Sequence, residues 1–421
     1  MIDLSNAKLL DKKDVLSKFR SLFYHQENEL YFDGNSLGKL PLLAKKTIEE
    51  AVQKQWGEGL IRSWNQHWLS LPSRISDKYS ELLGVETGEI IIGESTSVRL
   101  YQVVYALLKE GSFPKHLSTD ILNFPTDIYI LHGLEKSFTI PPLKIISYKD
   151  EVEAEIEILK ASIKNNPGIV CLSLVSYKSA YLYPMKQLNR WASKHQSLIV
   201  WDLSHAVGAV AVDLKETETI IALGCTYKYM NGGPGAPAFL YINEEWHSKL
   251  LNPIQGWFGH QHPFDFSKKY EAANSIKRFA SGTPAILSLL GMEAGIDITL
   301  EAGIKLLQEK SIQQSEAFIN ELIQELVPLG FSIESPLDNR KRGSHVTISH
   351  PASWQICQGL VAGSDVHPKI IPDFRPPHFI RFGITPLYTR FEEIKRVIEV
   401  LKEIVKTKRY LKFPMEKSEV T

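Results

Sequence analysis

The sequence predicts an α/β protein: a mostly parallel sheet followed by a smaller α+β unit. Three observations carry this. From about residue 88 to 242, short apolar runs alternate with amphipathic stretches at helical spacing, as in parallel strands covered on both faces by helices. From about residue 300 the rhythm changes to a helix, short strands with turns and a final amphipathic helix. At 421 residues the chain is long enough for two or more domains around a large core.

Composition excludes several function classes. Lys+Arg and Asp+Glu are equal at 48 each, so no global field favours nucleic acid or an anionic membrane. No apolar run approaches bilayer-spanning length, and the opening Met1-Ile2-Asp3-Leu4 lacks a basic region followed by an apolar core. The expectation is a soluble cytoplasmic protein. Cys171, Cys225 and Cys357 lie far apart without metal-ligand spacing, as buried free thiols would. His260 and His262 lack further ligand spacing, so no metal site is expected.

Along the chain, 31–38 is a turn-rich loop, and Pro41 opens a helical pattern over 42–56. Trp64 and Trp68 follow on a glycine-rich connection, as core residues or as the border of a site. A strand over 89–93 leads through Ser95-Thr96-Ser97 into a helix over 98–108. Strand, hydroxyl-bearing turn and helix make an anion site, although serine and threonine also cap helices without any ligand. A further strand runs to Asn123-Phe124-Pro125-Thr126-Asp127. There Phe124 could stack on a planar cofactor with Asp127 turned toward it, or be core with Asp127 as a cap. A helix over 151–165, a strand over 168–175 and a helix over 185–194 precede the buried-strand pattern Leu198-Ile199-Val200-Trp201.

That strand ends in Asp202-Leu203-Ser204-His205, at the carboxyl edge where open α/β sheets bind ligands. One unit later, the short strand 220–223 runs into Gly224-Cys225-Thr226-Tyr227-Lys228-Tyr229-Met230-Asn231-Gly232-Gly233-Pro234-Gly235. A lysine held on such a turn can be desolvated and lose its charge, as Schiff-base chemistry requires. An acid facing a pyridine nitrogen and a lysine facing an aldehyde are the pair that pyridoxal phosphate needs. The plainer alternatives are a solvated lysine before a hairpin and an aspartate that caps the Ser204 segment. Two glycine-bearing loops follow, 255–260 and 278–284, and a helix from Thr283-Pro284 to about residue 310 is expected to connect two domains. The later pattern places strands over 344–349, 370–375 and 379–384, a helix near 354–361, and a frayed polar tail over the last dozen residues.

Taken together these motifs resemble the kynureninases, pyridoxal-phosphate enzymes of the aspartate-aminotransferase fold. The resemblance runs through Asp33-Gly34-Asn35-Ser36-Leu37-Gly38, Trp56-Gly57-Glu58-Gly59, Ser95-Thr96-Ser97-Val98 and Phe124-Pro125-Thr126-Asp127. It continues through Asp202-Leu203-Ser204-His205, Tyr227-Lys228-Tyr229, Gly256-Trp257-Phe258-Gly259-His260, Ser281-Gly282-Thr283-Pro284 and Ile380-Arg381-Phe382-Gly383. It implies a fold-type-I large domain with a mostly parallel, seven-stranded sheet. Its divisions would be an N-terminal segment (1–60) packing on both domains, a large cofactor-binding domain (61–300) and a small C-terminal domain (301–421).

The resemblance also implies roles. Lys228 would carry the cofactor as its Schiff base, Asp202 would pair with the pyridinium nitrogen, and His205 would lie beside it. Phe124 would stack on the ring, within a Phe124-Pro125-Thr126-Asp127 binding segment, and Asp127 and Ser173 would bond near it. Thr96, Ser97 and Tyr227 would hold the phosphate, joined by Trp257 and Thr283 from the neighbouring subunit of a homodimer. Arg381 would clamp the substrate carboxylate, Trp64 and Gly282 would border the aryl ring, and Tyr227 would donate a proton. The reaction implied is hydrolytic Cβ–Cγ cleavage of kynurenine or 3-hydroxykynurenine in tryptophan breakdown.

Three departures from the family pattern stand out: Arg99 where asparagine is usual, Ala180 where glycine is usual, and Tyr183 where aspartate or an apolar residue is common. The 363–369 loop departs as well. A hydrolase of a modified kynurenine or a cysteine-desulfurase-like lyase with the same cofactor, or a catalytically silent relative, are the other readings. A desulfurase is disfavoured because no cysteine lies in a polar, mobile loop suited to carrying persulfide, and a silent relative because Asp202, Lys228 and Arg381 are all present.

Overall fold

The computed structural model describes residues 4–416. Its centre is a seven-stranded sheet of β1 (Ile90–Ile92), β2 (Leu117–Asp120), β3 (Lys144–Ile146), β4 (Ile169–Ser173), β5 (Leu198–Asp202), β6 (Ile221–Gly224) and β7 (Phe239–Ile242). In space the order is β1-β7-β6-β5-β4-β2-β3. β3, β2, β4, β5 and β6 run parallel, and β7 pairs antiparallel with both of its neighbours. Every residue of β4, β5 and β6 is buried, as strands covered on both faces must be. The reversal of β7 has a local cause. The chain leaves β6 through the lysine turn and comes straight back, so this stretch is a hairpin connection as well as a candidate site.

A second, antiparallel sheet orders Asp373–Arg375, Phe379–Gly383, His345–Ser349 and Ser332–Ile333 side by side. The closing helix Phe391–Lys406 buries Ile394, Val397, Leu401 and Ile404 against this unit's core. The N-terminal segment reaches both parts. Glu29–Tyr31 pairs in parallel with Lys369–Ile371, and Gly38 N–H donates to the Tyr227 carbonyl at 2.8 Å. The Asp11 carboxylate accepts from Phe391 N–H at 2.7 Å and Glu392 N–H at 3.0 Å, so it caps a helix 380 residues away in sequence.

Four sequence expectations need correction. The helix expected to run unbroken to about residue 310 is two helices, Ile286–Ala302 and Ile304–Glu321, separated at Gly303 (φ +81°), a conformation suited to glycine. The helix over 42–56 is regular only through Leu42–Glu50 and continues as wider i→i+5 turns over Ala51–Gly59. The run 370–375 divides at Pro372, whose missing N–H cannot continue a ladder, and its two halves join different sheets. The tail expected to fray is tied down as far as Glu416: Gln355 Nε2 donates to the Phe413 carbonyl at 2.7 Å and Trp354 Nε1 to that of Glu416 at 2.9 Å. The rest of that tail, 417–421, and the opening residues 1–3 lie outside the described residues. All three cysteines are free and buried. No helix among the described residues is long and apolar enough to cross a membrane.

Candidate active site

The carboxyl ends of β5 and β6 bring Asp202, His205 and Lys228 together. The lysine turn is closed twice, by Asn231 N–H donating to the Lys228 carbonyl at 2.9 Å and by Gly232 N–H donating to that of Thr226 at 2.9 Å. Gly38 packs so tightly on this turn that a Cβ there would lie 2.3 Å from the Lys228 carbonyl oxygen. The ammonium has no carboxylate within ion-pair distance among the described residues; instead Nζ lies 3.1 Å from His205 Nε2. Burial lowers the Lys228 pKa, Asp202 opposes that shift, and the guanidinium groups of Arg381 and Arg375 assist it. Burial, then the charges of Lys228 and Arg381, hold His205 well below its ordinary value, so it is neutral.

Asp202 is both a cap and a free acceptor. Ser204 donates to Oδ1 through its N–H (2.8 Å) and its hydroxyl (2.6 Å), while the structure records no bond to Oδ2 among the described residues. Burial raises its pKa, against the Ser204 hydrogen bonds and Lys228. Asp127 is pushed well above the usual carboxylate range by burial and then by the Asp202 charge. Phe124, directly before the helix Pro125–Phe138, turns its ring face to the lysine, with Nζ 5.8 Å from the centroid. The Tyr177 ring meets Phe124 edge-on at 5.1 Å. Thr126 lies two residues beyond Phe124, in the helix's first turn. Ser173 donates to Asn123 Oδ1 at 2.6 Å, and Phe124 N–H donates to the same oxygen at 2.8 Å, so this pair fixes where Phe124 sits.

A cavity of about 1050 Å³ gathers Thr96, Ser97, Tyr227, Gly282 and Thr283; Tyr227, next in sequence to Lys228, is its link to the cluster, and Lys228, Asp202 and Phe124 do not line it. Thr96 and Ser97 begin the helix Thr96–Glu110, whose first amide groups have no partner within the helix. Such a terminus attracts an anion. Burial raises the Tyr227 pKa and keeps its hydroxyl protonated.

Trp64 and Trp257 are not in contact with the lysine. Trp64 packs on Trp68 (5.4 Å between centroids) and Phe258 (6.4 Å), and Trp257 on Phe258 (4.4 Å), Phe264 and Phe266. Trp257 is 41% exposed, high for a residue of its size. His260 is held within its own loop by Lys269 and His262. Among the described residues no group of three His, Cys, Asp or Glu could hold a metal ion.

Arg381 is fully buried and already engaged. Its Nε donates to Asp373 Oδ2 at 2.5 Å, its Nη1 to the Tyr177 carbonyl and its Nη2 to Ser36 Oγ at 3.2 Å. Arg375 Nε donates to the same Asp373 oxygen at 2.9 Å. The sequence reading missed Asp373, Arg375, Ser36 and Tyr177 as parts of this site. The available signal was the strand register, in which Asp373 lies directly opposite Arg381. It also missed His345, buried with its ring 5.8 Å from that of His205.

Two of the departures now have physical accounts. Ala180 sits at φ +66°, the left-handed region that costs an L-residue roughly 1–2 kcal/mol. Ala180→Gly is expected to stabilise the protein by about 1 kcal/mol, read as a higher urea midpoint. A lower midpoint would show that the buried methyl outweighs the strain.

The Tyr183 hydroxyl donates to Asp120 Oδ2 at 2.6 Å beside the Tyr148 hydroxyl at 2.9 Å, forming a buried polar knot below the Phe124 loop. Burial pushes Asp120 up to about 6 from its ordinary 3.8. A carboxyl that holds its proton more tightly when folded contributes stability that is complete below about pH 4 and is lost as pH rises through about 6. The stability of the natural protein relative to Asp120→Asn is therefore expected to fall across that window and level off above it, as measured by urea unfolding at each pH. A flat difference would contradict the raised value.

The fold, with Asp202 and Lys228 delivered by the neighbouring strands β5 and β6, points to a class. The family model described as "Aminotransferase class-V" matches residues 75–352, and that described as "Kynureninase C-terminal domain" matches residues 307–401. Within that class the chain belongs to the kynureninase family. It is 34% identical over 417 residues to the kynureninase of Pseudomonas fluorescens, covering 97% of each chain. It is 33% identical over 406 residues to that of Burkholderia pseudomallei (strain K96243), covering 95% of each. Among solved structures it is similar to an apo cysteine desulfurase from Thermococcus onnurineus NA1 (TM-score 0.79, 19% identity, 93% of this chain and 98% of that one). A mutant C-DES with glycine covalently linked to its PLP cofactor gives a TM-score of 0.80 at 18% identity, covering 91% of this chain and 99% of that one. At such identities the two structures bear on the fold alone.

Proposed function

We propose that this chain binds pyridoxal 5'-phosphate and hydrolyses the Cβ–Cγ bond of L-kynurenine or 3-hydroxykynurenine, taking up water and releasing an anthranilate and L-alanine. The observation that carries this reading is the desolvated Lys228 amine facing Phe124, close enough for the charges of Asp202 and Arg381 to act on it. The residues fit the cofactor: a lysine poised to lose its charge, an uncommitted carboxylate oxygen on Asp202, an aromatic face, and a helix N-terminus with hydroxyls where Ser95 caps the Val98 N–H alone at 3.4 Å. Bound there, the cofactor supplies an electron sink for the pair released when the Cβ–Cγ bond breaks.

The chain's own groups supply the rest. Phe124, with Pro125 and Thr126 following it, would stack on the ring, and Asp127 and Ser173 would bond at its edge. Asp202 would pair with the pyridine nitrogen and keep it protonated, with His205 neutral beside it. Thr96, Ser97 and Tyr227 hold the phosphate. Lys228 Nζ takes the substrate α-proton, and the Tyr227 hydroxyl returns a proton on the product side. Arg381 fixes the α-carboxylate, and Trp64 and Gly282 border the aryl ring.

Trp257 and Thr283 complete the neighbouring site in a cytoplasmic homodimer whose subunits divide as N-terminal segment (1–60), large domain (61–300) and small domain (301–421). The exposed Trp257 on its aromatic loop supports a pairing surface there. A persulfide-carrying lyase is disfavoured because all three cysteines are buried. The test is product analysis: with kynurenine, anthranilate and alanine are expected in equal amounts. Alanine without the matching anthranilate, or no product from either kynurenine or 3-hydroxykynurenine, would contradict the proposal.

A further inference from the structure

Arg99 lies in the first turn of the Thr96–Glu110 helix and is 1% exposed. A cation there is doubly disfavoured, by desolvation and by the positive end of the helix dipole. Burial lowers its pKa to about 10. Among the described residues no carboxylate lies within ion-pair distance of it. Three neutral acceptors hold two of its nitrogens: Nε donates to the Gly93 carbonyl at 2.9 Å, and Nη1 to the Phe279 carbonyl at 2.7 Å and Gln102 Oε1 at 3.1 Å. Nη2 has no partner among the described residues. It lies over Gly93, where a Cβ would come within 2.9 Å of it. Arg99 and Gly93 line the same cavity as Thr96, Ser97, Tyr227 and Thr283. Gln102 passes the arrangement on, since its Nε2 donates to Ser281 Oγ at 3.1 Å, in the glycine loop on the cavity's far side.

We propose that Arg99 is the cationic member of the phosphate subsite in this chain. Its guanidinium has no ion-paired carboxylate among the described residues, the Glu94 charge acting on it only from a longer range, so that a dianionic phosphate can balance it. The inference rests on the cofactor reading above and adds to it a residue that the phosphate turn alone does not contain. Arg99 also positions the Phe279–Thr283 side of the cavity through its bonds to the Phe279 carbonyl and Gln102.

The test compares two probes on the full chain, stripped of cofactor by dialysis: pyridoxal 5'-phosphate and phosphate-free pyridoxal. Charge-assisted bonding to the phosphate is expected to make Arg99→Gln and Arg99→Asn bind the phosphorylated probe about 10- to 100-fold more weakly, with pyridoxal unchanged within about twofold. Arg99→Lys should retain much of the difference. Inorganic phosphate should raise the melting temperature of the cofactor-free natural chain and not that of Arg99→Gln. If both probes weaken together in the variants, or neither does, Arg99 is only a strut for the loop and the proposal is overturned. If the natural chain binds neither probe, the cofactor reading itself falls, and this proposal with it.

Discussion

Replacing Lys228 by alanine is expected to lower turnover by at least about 10³-fold, the range that loss of a positioned proton-transfer group alone can cost. The fold should survive the change. Lys228 forms no ion pair among the described residues, and its turn is held by backbone bonds from Asn231 and Gly232 and by the close approach of Gly38. Its contacts, His205 and the Phe124 face, are neutral groups that tolerate loss of an ammonium. The measurement is steady-state kcat, with circular dichroism to confirm folding. Normal multiple turnover by a folded Lys228→Ala protein would remove the lysine from the chemistry.

Arg381→Ala is expected to weaken substrate binding by roughly 2–5 kcal/mol, as truncating one member of a buried charge pair does. That corresponds to a rise in KM of about 30-fold or more. The structure adds a second cost. Arg381 also holds Asp373, the Tyr177 carbonyl and Ser36, so its loss frees groups on three segments at once. Arg375 keeps its own bond to Asp373, so that carboxylate is not left alone. Arg381→Lys separates the two costs: it retains the charge but not the planar fork, so KM should still rise while stability changes less. An unchanged KM for kynurenine in either variant would argue against the carboxylate clamp.

Local pattern made much of the fold legible. β4, β5 and the Met185–Lys194 helix fall almost where apolar runs and periodicity put them, because each is buried or amphipathic along its whole length. Lys228 and Asp202 were readable for a related reason. Each follows a short apolar strand, and the carboxyl edge of a parallel sheet is where such strands deliver side chains. What local pattern could not show depends on distant partners. The engagement of Arg381 by Asp373 exists only once two strands pair in register. The approach of His345 to His205 joins residues 140 positions apart. The break at Gly303 was hidden because apolar residues continue on both sides of it. The departures were visible as residue types, but only contacts show that Tyr183 serves Asp120 and that Ala180 holds a strained backbone.

The most direct test of the account is a visible absorption spectrum of the purified protein before and after kynurenine is added, with anthranilate fluorescence followed alongside. The account predicts a visible cofactor band that borohydride bleaches, with the reduced adduct mapped to the peptide carrying Lys228, and anthranilate that grows once substrate is present. No band even with added pyridoxal 5'-phosphate, or a band with neither anthranilate from kynurenine nor 3-hydroxyanthranilate from 3-hydroxykynurenine, would contradict it.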